Sequence, residues 1–225
     1  MLKASNLCQS VQVGDDLLHI LKNINLDIHK GDSVAIIGES GSGKTTLLGL
    51  LAGLDVPSSG NVFINTINMT QMDEEARGKL RQEYVSFIFQ NFQLLESLTA
   101  IENITLPLEV RGEDNTRETG LSYLERVGLA NRARHYPQQL SGGEQQRVAI
   151  ARAFACEAPI IFADEPTGNL DAENGDKIAD LLFQLNREKQ TTLILVTHSM
   201  ALAKRCNRQI KLQAGELISL SDEAS

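Results

Sequence analysis

The strongest constraint on the fold of this chain is a glycine-rich segment that lies between two apolar runs. The segment Gly38–Thr45 reads GESGSGKT and matches the pattern G-x-x-x-x-G-K-[ST] in full. The run before it, Val34–Ile37, is continuously apolar, which predicts a strand buried on both faces. The leucine-rich run after it, Thr45–Leu54, predicts a buried helix that ends near Gly53. A strand, a tight loop and a helix in this order indicate an α/β fold.

This loop has the composition needed to hold phosphate groups. Glycines let the backbone curl so that N–H groups point inward, and the following helix adds the positive end of its dipole. Lys44 supplies a mobile charge for β- and γ-phosphates, and the Thr45 hydroxyl suits Mg²⁺. A glycine turn with an incidental lysine is the alternative interpretation. The predicted phosphate-binding residues are Gly38, Glu39, Ser40, Gly41, Ser42, Gly43, Lys44 and Thr45.

An acidic pair follows a second apolar run. Ile160–Ala163 predicts a core strand, and Asp164 and Glu165 come directly after it. Because the carboxyl ends of parallel strands share the edge where ligands bind, we expect the pair at a ligand site. Asp164 suits Mg²⁺ through a water molecule, and Glu165 suits the attacking water as a base or orienting group. A solvated acidic turn is the alternative.

Two more polar residues come at the ends of predicted strands. His198 follows the run Leu193–Thr197, from which it can reach a γ-phosphate or the attacking water. Gln90 follows Val85–Phe89 and can reach Mg²⁺ or water. A lone histidine is usually structural, and that interpretation of His198 stays open from the residues alone.

The segment Leu140–Arg147, LSGGEQQR, predicts the start of another helix. Ser141 is a suitable N-cap, and Glu144 three residues later completes a capping box. The capping box does not explain Gly142 and Gly143, since each glycine in a helix costs about 1 kcal/mol relative to alanine. Bare backbone N–H groups at a helix start make sense where a phosphate must approach closely.

The remaining pattern indicates an α/β core with an inserted helical lobe. The short alternating runs Leu17–Leu21 and Ile24–Ile28 predict antiparallel strands separated at Asn23, and residues 210–220 predict a terminal hairpin. Apolar residues at helical spacing between residues 91 and 139 predict helices instead of core strands. The polar, acidic tail 221–225 is expected to fray.

Composition narrows the classes of function. The 225 residues include 21 Lys and Arg against 29 Asp and Glu, and the resulting charge of −8 disfavours a protein that coats nucleic acid. No apolar run approaches the roughly 18–20 residues that span a bilayer, and the first residues lack the apolar stretch of a signal peptide. The three scattered cysteines predict small buried side chains, without a disulfide framework or zinc site.

Taken together, these motifs make the whole chain resemble the ATP-binding-cassette (ABC) ATPases. The matching motifs are the Walker A segment Gly38–Thr45 with Thr46 after it, the Q-loop residue Gln90, the signature Leu140–Arg147, the Walker B segment Ile160–Glu165, the D-loop with Asn169, Leu170 and Asp171, and the switch residue His198.

The resemblance implies one ABC ATPase domain over residues 1–225, with a P-loop NTPase core. Residues 1–90 and 140–225 would form this RecA-like core, with a mixed or parallel sheet and an antiparallel β subdomain, and residues 91–139 the helical subdomain. It also implies a head-to-tail homodimer that encloses two ATP molecules with Mg²⁺ bound by Thr45, Gln90 and, through water, Asp164. Glu165, His198, Gln90 and Lys44 would be catalytic. Each ATP would also meet four signature residues of the other chain, which are Ser141, Gly142, Gly143 and Glu144.

Further motifs are similar to one subfamily, which includes the lipoprotein-releasing, macrolide-efflux and FtsE-type cell-division ATPases. The D-loop and the segment Asn103–Leu108 carry this similarity, while residues 72–77 and 175–188 are most similar to its YbbA-type members. The subfamily implies a separate integral membrane permease, a cytoplasmic location on the inner face of the inner membrane, and no nucleic-acid partner. On this analogy Phe92–Leu98 and the helical lobe receive the permease, although Phe92, Leu94, Leu95 and Leu98 would each suit the core of the lobe equally well.

One position departs from the family. ABC ATPases usually stack adenine on an aromatic residue of the first strands, where this chain has Val11, and no aromatic residue occurs before Phe63. Aromatic stacking contributes on the order of 1 kcal/mol. We therefore predict weaker nucleotide binding and looser discrimination between ATP and GTP.

Two other classes of protein agree less well with these residues. A soluble ABC ATPase that acts on DNA or ribosomes without a permease is the main alternative, but its known forms carry coiled coils, zinc inserts or two cassettes, which this sequence lacks. A P-loop kinase or GTPase would leave the signature and His198 without a purpose.

Overall fold

The computed structural model describes residues 1–219. Contacts divide the chain into two units, one formed by Met1–Val85 with the part that begins at Thr191, the other by Ser86–Gln190. The subdomain boundaries after residues 90 and 139 stay a prediction. Leu220, predicted as the end of the hairpin, and the tail 221–225 lie outside the described residues.

Ten strands and seven helices are assigned within residues 1–219. In chain order they are β1 (Leu2–Val13), β2 (Asp16–Ile28), β3 (Ser33–Ile37), α1 (Lys44–Leu51), β4 (Ser59–Ile64), β5 (Ile67–Asn68), α2 (Glu74–Tyr84), β6 (Val85–Ile88), α3 (Ala100–Val110), α4 (Thr116–Arg126), α5 (Gly142–Ala155), β7 (Ile160–Asp164), α6 (Ala172–Lys189), β8 (Thr192–Thr197), α7 (Met200–Ala203), β9 (Arg208–Gln213) and β10 (Glu216–Ser219). Short 3₁₀ turns lie at Met69–Gln71, Ala130–Arg132 and Pro137–Gln139.

The first unit contains an antiparallel sheet in the order β2-β1-β4-β5. Residues 17–28, predicted as two strands, belong to the single strand β2. Its break in pattern at Asn23 is an irregularity within the strand, because Asn23 has φ of 49° and the register between β1 and β2 shifts there. Asparagine tolerates this left-handed conformation better than most residues, so the strand continues through it.

The first unit also contains the strands β10-β9-β3-β8 in this order. β3 runs parallel to β8 and β9, and all five of its residues are buried, which confirms the strand expected from Val34–Ile37. The helix predicted over Thr45–Leu54 is shorter and forms α1. The hairpin of β9 and β10 turns at Ala214 and Gly215, which both have positive φ as a two-residue hairpin requires.

The second unit contains the neighbouring strands β6 and β7 and four helices. The rings of Phe87 and Phe162 stack with centroids 5.7 Å apart and join the two strands. Ile101, Ile104 and Leu124 are buried as their spacing predicts, whereas Leu121 is 41% exposed.

The three cysteines differ in how far they are buried. Cys156 and Cys206 are buried, but Cys8 is only half-buried, because it lies near the irregular part of β1. No helix within residues 1–219 is both long and apolar enough to cross a membrane.

Candidate functional site

In the first unit, the loop between β3 and α1 needs its glycines for two different reasons. A Cβ atom on Gly38 would lie 2.3 Å from the carbonyl oxygen of Leu212 in β9, so only glycine fits there. Gly41 and Gly43 have φ of 78° and 98°, a conformation that glycine adopts without strain. The loop is therefore held close to β9 and curled, as the sequence predicts for a phosphate-binding loop.

Two polar side chains of this loop, Lys44 and Ser42, lie at its interior. The Lys44 ammonium donates to the carbonyl oxygens of Gly38, at 2.9 Å, and Glu39, at 2.8 Å, and so lies across the loop. The buried Ser42 hydroxyl has no hydrogen-bond partner within the described residues. Because a buried unpaired hydroxyl is unfavourable, a ligand with several oxygen acceptors fits this loop.

The amino terminus of α1 favours an anion. Its N-cap is Gly43, which supplies no side-chain bond to the first N–H groups, and no acidic residue lies in the first turn. The unpaired N–H groups and the helix dipole therefore point at whatever the loop holds. Thr45 is exposed and Thr46 half-buried in this turn, while Glu39 and Ser40 are exposed on the loop.

The parallel pairing of β3 and β8 brings His198 to the same sheet edge as the loop. Ile37 pairs with Thr197, so the next residues, Gly38 and His198, begin side by side where neighbouring strands are about 4.8 Å apart. The His198 side chain is exposed. The sequence predicts His198 at this edge of the sheet.

Val11 lies near the end of the β1–β2 hairpin and pairs with Leu18. Both side chains are exposed, by 43% and 56%. A Cβ atom on Gly43 would meet Ile20 and Leu21 of β2 at 3.0–3.3 Å, so β2 packs directly against the phosphate-binding loop. The hairpin therefore offers an aliphatic surface, without an aromatic ring, in the strand pair beside the loop.

In the second unit, Gln90, Glu165 and Asn169 meet around Gly168. A Cβ atom on Gly168 would lie 3.1 Å from Nε2 of Gln90 and 3.3 Å from Cβ of Glu165. Asn169 Nδ2 donates to the Gln90 carbonyl oxygen at 2.9 Å and to Oδ1 of Asn91 at 3.0 Å, and Gln90 Nε2 donates back to Asn169 Oδ1 at 3.4 Å. The predicted Q-loop and D-loop are thus joined through side chains.

Asp164 and Glu165 lie at the end of β7, and both are half-buried. Glu165 has φ of 44° and its carbonyl oxygen accepts from the N–H of Gly168 at 2.9 Å. Because the chain turns tightly at Glu165, the side chains of Asp164 and Glu165 leave the backbone in different directions. This agrees with the different roles predicted for them.

The chain after Gln90 is held by two residues that sequence reasoning missed. Arg152 of α5 donates to the carbonyl oxygens of Gln93 at 2.6 Å and Phe92 at 2.9 Å. Asn103 of α3, only 2% exposed, accepts from the Leu95 N–H and donates to three carbonyl oxygens. An asparagine among the apolar residues of α3 was the available signal for Asn103, whereas Arg152 carries no local signal.

The signature segment forms the capping box that the sequence predicts. Ser141 is the N-cap of α5, and its N–H and hydroxyl both donate to Oε2 of Glu144, at 2.9 and 3.0 Å. The other oxygen of Glu144 accepts from Arg132 at 3.0 Å. These donors, the Ser141 N–H above all, hold the pKa of Glu144 below its usual value. Glu144 therefore stays ionised and keeps the helix start ordered.

The two signature glycines lie beside the D-loop within the second unit. A Cβ atom on Gly142 would be 3.7 Å from Leu170 and 3.8 Å from Phe92, and one on Gly143 would be 3.9 Å from Asn174. Gly142 is exposed, so its backbone is accessible. Asp171 itself caps α6, accepting from the Asn174 N–H and side chain, and these bonds lower its pKa.

The predicted magnesium ligands are all oxygen donors, which Mg²⁺ prefers. They are the hydroxyl of Thr45, the side-chain oxygen of Gln90 and, through water, the carboxylate of Asp164. Residues 1–219 contain no group of three His, Cys, Asp or Glu side chains placed to hold a metal. Donors of this type suit an ion that keeps several waters and also binds phosphate oxygens.

Comparison with known proteins gives consistent matches. Residues 21–168 match the family model described as ABC transporter. The chain is 52% identical over 219 residues to the ABC transporter ATP-binding protein YbbA of Escherichia coli K12, covering 96% of each chain. It is 43% identical over 220 residues to the ABC transporter ATP-binding protein Rv0986 of Mycobacterium tuberculosis H37Rv, covering 97% of this chain and 89% of the relative.

Solved structures agree with these matches. A dimeric structure of the ATP-binding cassette MJ0796 in a post-hydrolysis state, bound to ADP and Pi, aligns with a TM-score of 0.90 and 42% identity, covering 98% of this chain and 99% of that one. A second dimeric structure of MJ0796, described as a bacterial ABC transporter cassette, aligns with a TM-score of 0.90 and 41% identity over the same shares. The predicted α/β fold with a P-loop NTPase core is confirmed.

Proposed function

Because the chain belongs to the family of ABC transporter ATP-binding proteins and is an ATPase, we propose that it drives export or extraction of a substrate through a separate membrane permease. The observation that best supports this proposal is the start of α5. There the exposed Gly142 and the half-buried Gly143 lie between the two residues of a completed capping box, and without side chains they leave backbone N–H groups open to a phosphate. We propose that this phosphate belongs to ATP bound by a second copy of the chain.

In the proposed mechanism, the first unit binds the phosphates. Amides of the loop Gly38–Thr45 and the start of α1 surround the β- and γ-phosphates, and Lys44 adds a charge. Thr46, which follows the loop, would contact the α-phosphate. His198 bonds the γ-phosphate or the attacking water from the neighbouring strand end. Mg²⁺, when bound, would neutralise phosphate charge and fix the geometry of these oxygens.

The second unit orients the water in this proposal. Glu165 accepts a hydrogen bond from the attacking water, and Gln90 contacts the water or the metal ion through its amide. Asp164 would hold Mg²⁺ through a water molecule. Two chains pair head to tail, with Asn169, Leu170 and Asp171 of each D-loop at the pairing surface, so that closing the dimer completes both sites.

In this proposal, dimerisation carries a specific cost at Ser141. The Ser141 hydroxyl donates to Glu144, so it must turn away from that carboxylate to donate to a phosphate. The Ser141 N–H keeps its own bond to the same oxygen, so the capping box stays partly formed. We expect this exchange to make closure reversible.

A variant of Glu165 tests the proposed hydrolytic role. Glu165→Gln keeps the size of the side chain but removes the negative charge, so ATP and Mg²⁺ should produce a stable dimer with little ADP release. Size-exclusion chromatography and a phosphate-release assay measure the two effects. Lys44→Ala should bind no ATP, and Ser141→Ala should bind ATP without dimerising. Hydrolysis by Glu165→Gln at the wild-type rate would exclude the proposed role of Glu165.

The permease is tested separately. We propose that the chain lies in the cytoplasm against the inner membrane, and that an integral membrane protein accompanies tagged wild-type chain out of a detergent extract. The same pull-down is repeated with Phe92→Ser and with the exposed residue Leu121→Ser as a control. Binding of purified chain to ribosomes or DNA at moderate salt, with no membrane protein retained, would favour the soluble alternative.

A further inference from the structure

The turn after Gln90 has an unfavourable backbone conformation. Phe92 and Gln93 have φ of 59° and 47°, so two consecutive residues other than glycine lie in the left-handed region. Residues with a Cβ atom adopt this conformation seldom, because the Cβ atom crowds the following carbonyl oxygen. The turn therefore needs outside support to persist.

Arg152 provides this support from α5. Its two terminal nitrogens reach the two consecutive carbonyl oxygens of the turn, Nη1 to Gln93 at 2.6 Å and Nη2 to Phe92 at 2.9 Å. The rigid planar fork of the guanidinium places one donor on each of these two acceptors. Burial lowers the pKa of Arg152, which indicates that the guanidinium is taken out of water to make these bonds.

The same helix carries the signature at its other end. Ser141 caps α5, and Arg152 lies eleven residues later on the same continuous helix, which places the two about 16 Å apart along its axis. A helix of this length moves as a rigid element. A shift of the signature end therefore displaces the guanidinium that holds the turn at Phe92 and Gln93.

We propose that Arg152 is a positioning residue for ATP hydrolysis, which holds Gln90 in place through the turn that follows it and couples that turn to the signature helix. The inference rests on the proposed function, in which Gln90 contacts the metal ion or the attacking water. Asn169 holds the backbone at Gln90 from the D-loop side, so Arg152 fixes the other side of the same short segment. Without Arg152, Gln90 keeps its bonds to Asn169, but the turn at Phe92 and Gln93 loses its bonds from α5.

The test compares Arg152→Gln with Arg111→Gln. Arg111, the C-cap residue of α3, also donates from its guanidinium to a backbone carbonyl, that of Cys156 directly after α5, and not to the turn. Arg152→Gln removes two guanidinium–carbonyl bonds, and Arg111→Gln removes one such bond together with the ion pair to Glu113 at 3.6 Å. Each variant therefore loses two polar contacts near α5, and the pair is matched for general structural effects. Steady-state Mg²⁺-ATPase activity, the KM for ATP and the midpoint of thermal unfolding are measured on the full-length chain.

We expect Arg152→Gln to lower kcat about tenfold, the factor expected for one charge-assisted hydrogen bond, with the KM for ATP within about twofold of wild type. Arg111→Gln should keep kcat within about twofold of wild type. The split between kcat and KM follows because the phosphate-binding loop remains intact while the water and metal contacts lose their position.

Glycine at the turn provides a rescue that a general structural defect would not show. Gln93 is exposed, and Gln93→Gly removes the crowding that makes positive φ unfavourable. In the Arg152→Gln background, Gln93→Gly should therefore raise kcat by about threefold or more. Gln93→Val should instead lower it further, since a β-branched residue tolerates positive φ poorly.

Each outcome decides the proposal. Equal kcat for Arg152→Gln and Arg111→Gln, or no rescue by Gln93→Gly, would overturn the role of Arg152. If Arg152→Gln unfolds at the assay temperature, Arg152→Lys, which keeps the charge and one bond, replaces it in the same comparison. A wild-type chain without Mg²⁺-ATPase activity would instead refute the proposed function, so the two failures are distinguishable.

Discussion

Asn103 gives the sharpest quantitative test of how the segment after Gln90 is built. The residue is 2% exposed, and its amide lies within hydrogen-bond distance of four backbone groups, so that the two N–H groups are shared among three carbonyl oxygens. Oδ1 accepts from the Leu95 N–H at 2.7 Å, and Nδ2 donates to the carbonyl oxygens of Leu95, Leu98 and Thr99 at 3.0–3.1 Å. Asn103→Ala removes these contacts. The carbonyl oxygens of Leu95 and Thr99 keep their bonds from the Leu98 and Asn103 backbone N–H groups, so the loss falls mainly on the Leu95 N–H and the Leu98 carbonyl oxygen.

The expected cost follows from these contacts. A net hydrogen bond contributes about 1 kcal/mol, and a buried backbone group left unpaired costs about 1–3 kcal/mol, but water reaches some of the exposed loop. We therefore expect Asn103→Ala to lower the free energy of unfolding by about 3–4 kcal/mol. For a chain of this size that corresponds to a fall of roughly 6–16 °C in the midpoint of thermal unfolding.

Asn25 is the matched control. Its amide also accepts from one backbone N–H, at 3.0 Å from Asn6, and donates to Asn23, but the residue is exposed. Water can replace these bonds, so Asn25→Ala should cost less than about 1 kcal/mol. Urea unfolding followed by circular dichroism compares the two variants. Equal destabilisation would show that burial of the Asn103 amide does not set its contribution.

Asn103→Asp separates hydrogen bonding from packing. A carboxylate has the same shape but places an oxygen against three carbonyl oxygens, so its ionised form should destabilise the chain more than alanine does. The pKa of this buried aspartate should be raised, and the excess destabilisation over Asn103→Ala should shrink as the pH falls below that pKa. An excess that does not vary with pH would contradict the assigned donor and acceptor atoms.

Three further predictions concern the phosphate-binding loop, the base and the signature. Gly38→Ala should abolish ATP binding measured by calorimetry, because its Cβ atom would lie 2.3 Å from the Leu212 carbonyl oxygen, whereas Gly49→Ala, with open space around it, should bind normally. Val11→Tyr should tighten ATP binding about fivefold and raise the preference for ATP over GTP, since stacking is worth on the order of 1 kcal/mol; unchanged affinity and preference would refute this. Glu144 has a lowered pKa, so the stability that it adds over Glu144→Gln should be present above pH about 4.5 and lost as the pH falls through its folded-state pKa; acid unfolding curves that remain separated at low pH would contradict it.

The phosphate-binding loop could be predicted from sequence because its requirements are local. A buried strand, glycines with positive φ and a helix start all lie within the segment from Val34 to Leu51, and each has its own residue pattern. The capping box of Ser141 and Glu144 was predictable for the same reason, since both partners lie within one helical turn.

The helix α2 was not predicted, because its residues lack an apolar period. Only Arg77 and Leu80 are buried in it, and Arg77 buries its alkyl stem against Gly53 while pairing with Glu74. An arginine counts as polar in any pattern of hydrophobicity, although its stem packs as an apolar side chain. The sequence signal for this helix was therefore limited to Asp73, which caps it.

Asn103 could be predicted from the sequence more readily than Arg152, because Arg152 binds groups that are distant in the chain. Asn103 lies within eight residues of the groups it binds, and an asparagine on the buried face of a helix is conspicuous. Arg152 binds carbonyl groups that lie 59 and 60 residues earlier in the chain. A backbone carbonyl occurs at every residue, so no residue type at position 92 or 93 marks it as an acceptor.

Three polar side chains hold residues 90–99 through hydrogen bonds, and they differ in exposure. This difference predicts which part of the segment opens first. Asn169 is exposed, Arg152 is half-buried and Asn103 is buried. Water competes for an exposed hydrogen bond and makes its opening inexpensive, whereas opening a buried one leaves polar groups unpaired. The end of the segment at Gln90 should therefore open most readily and the end at Thr99 least. In the proposed function, that order lets Gln90 move with the nucleotide while the part expected to meet the permease stays fixed to α3.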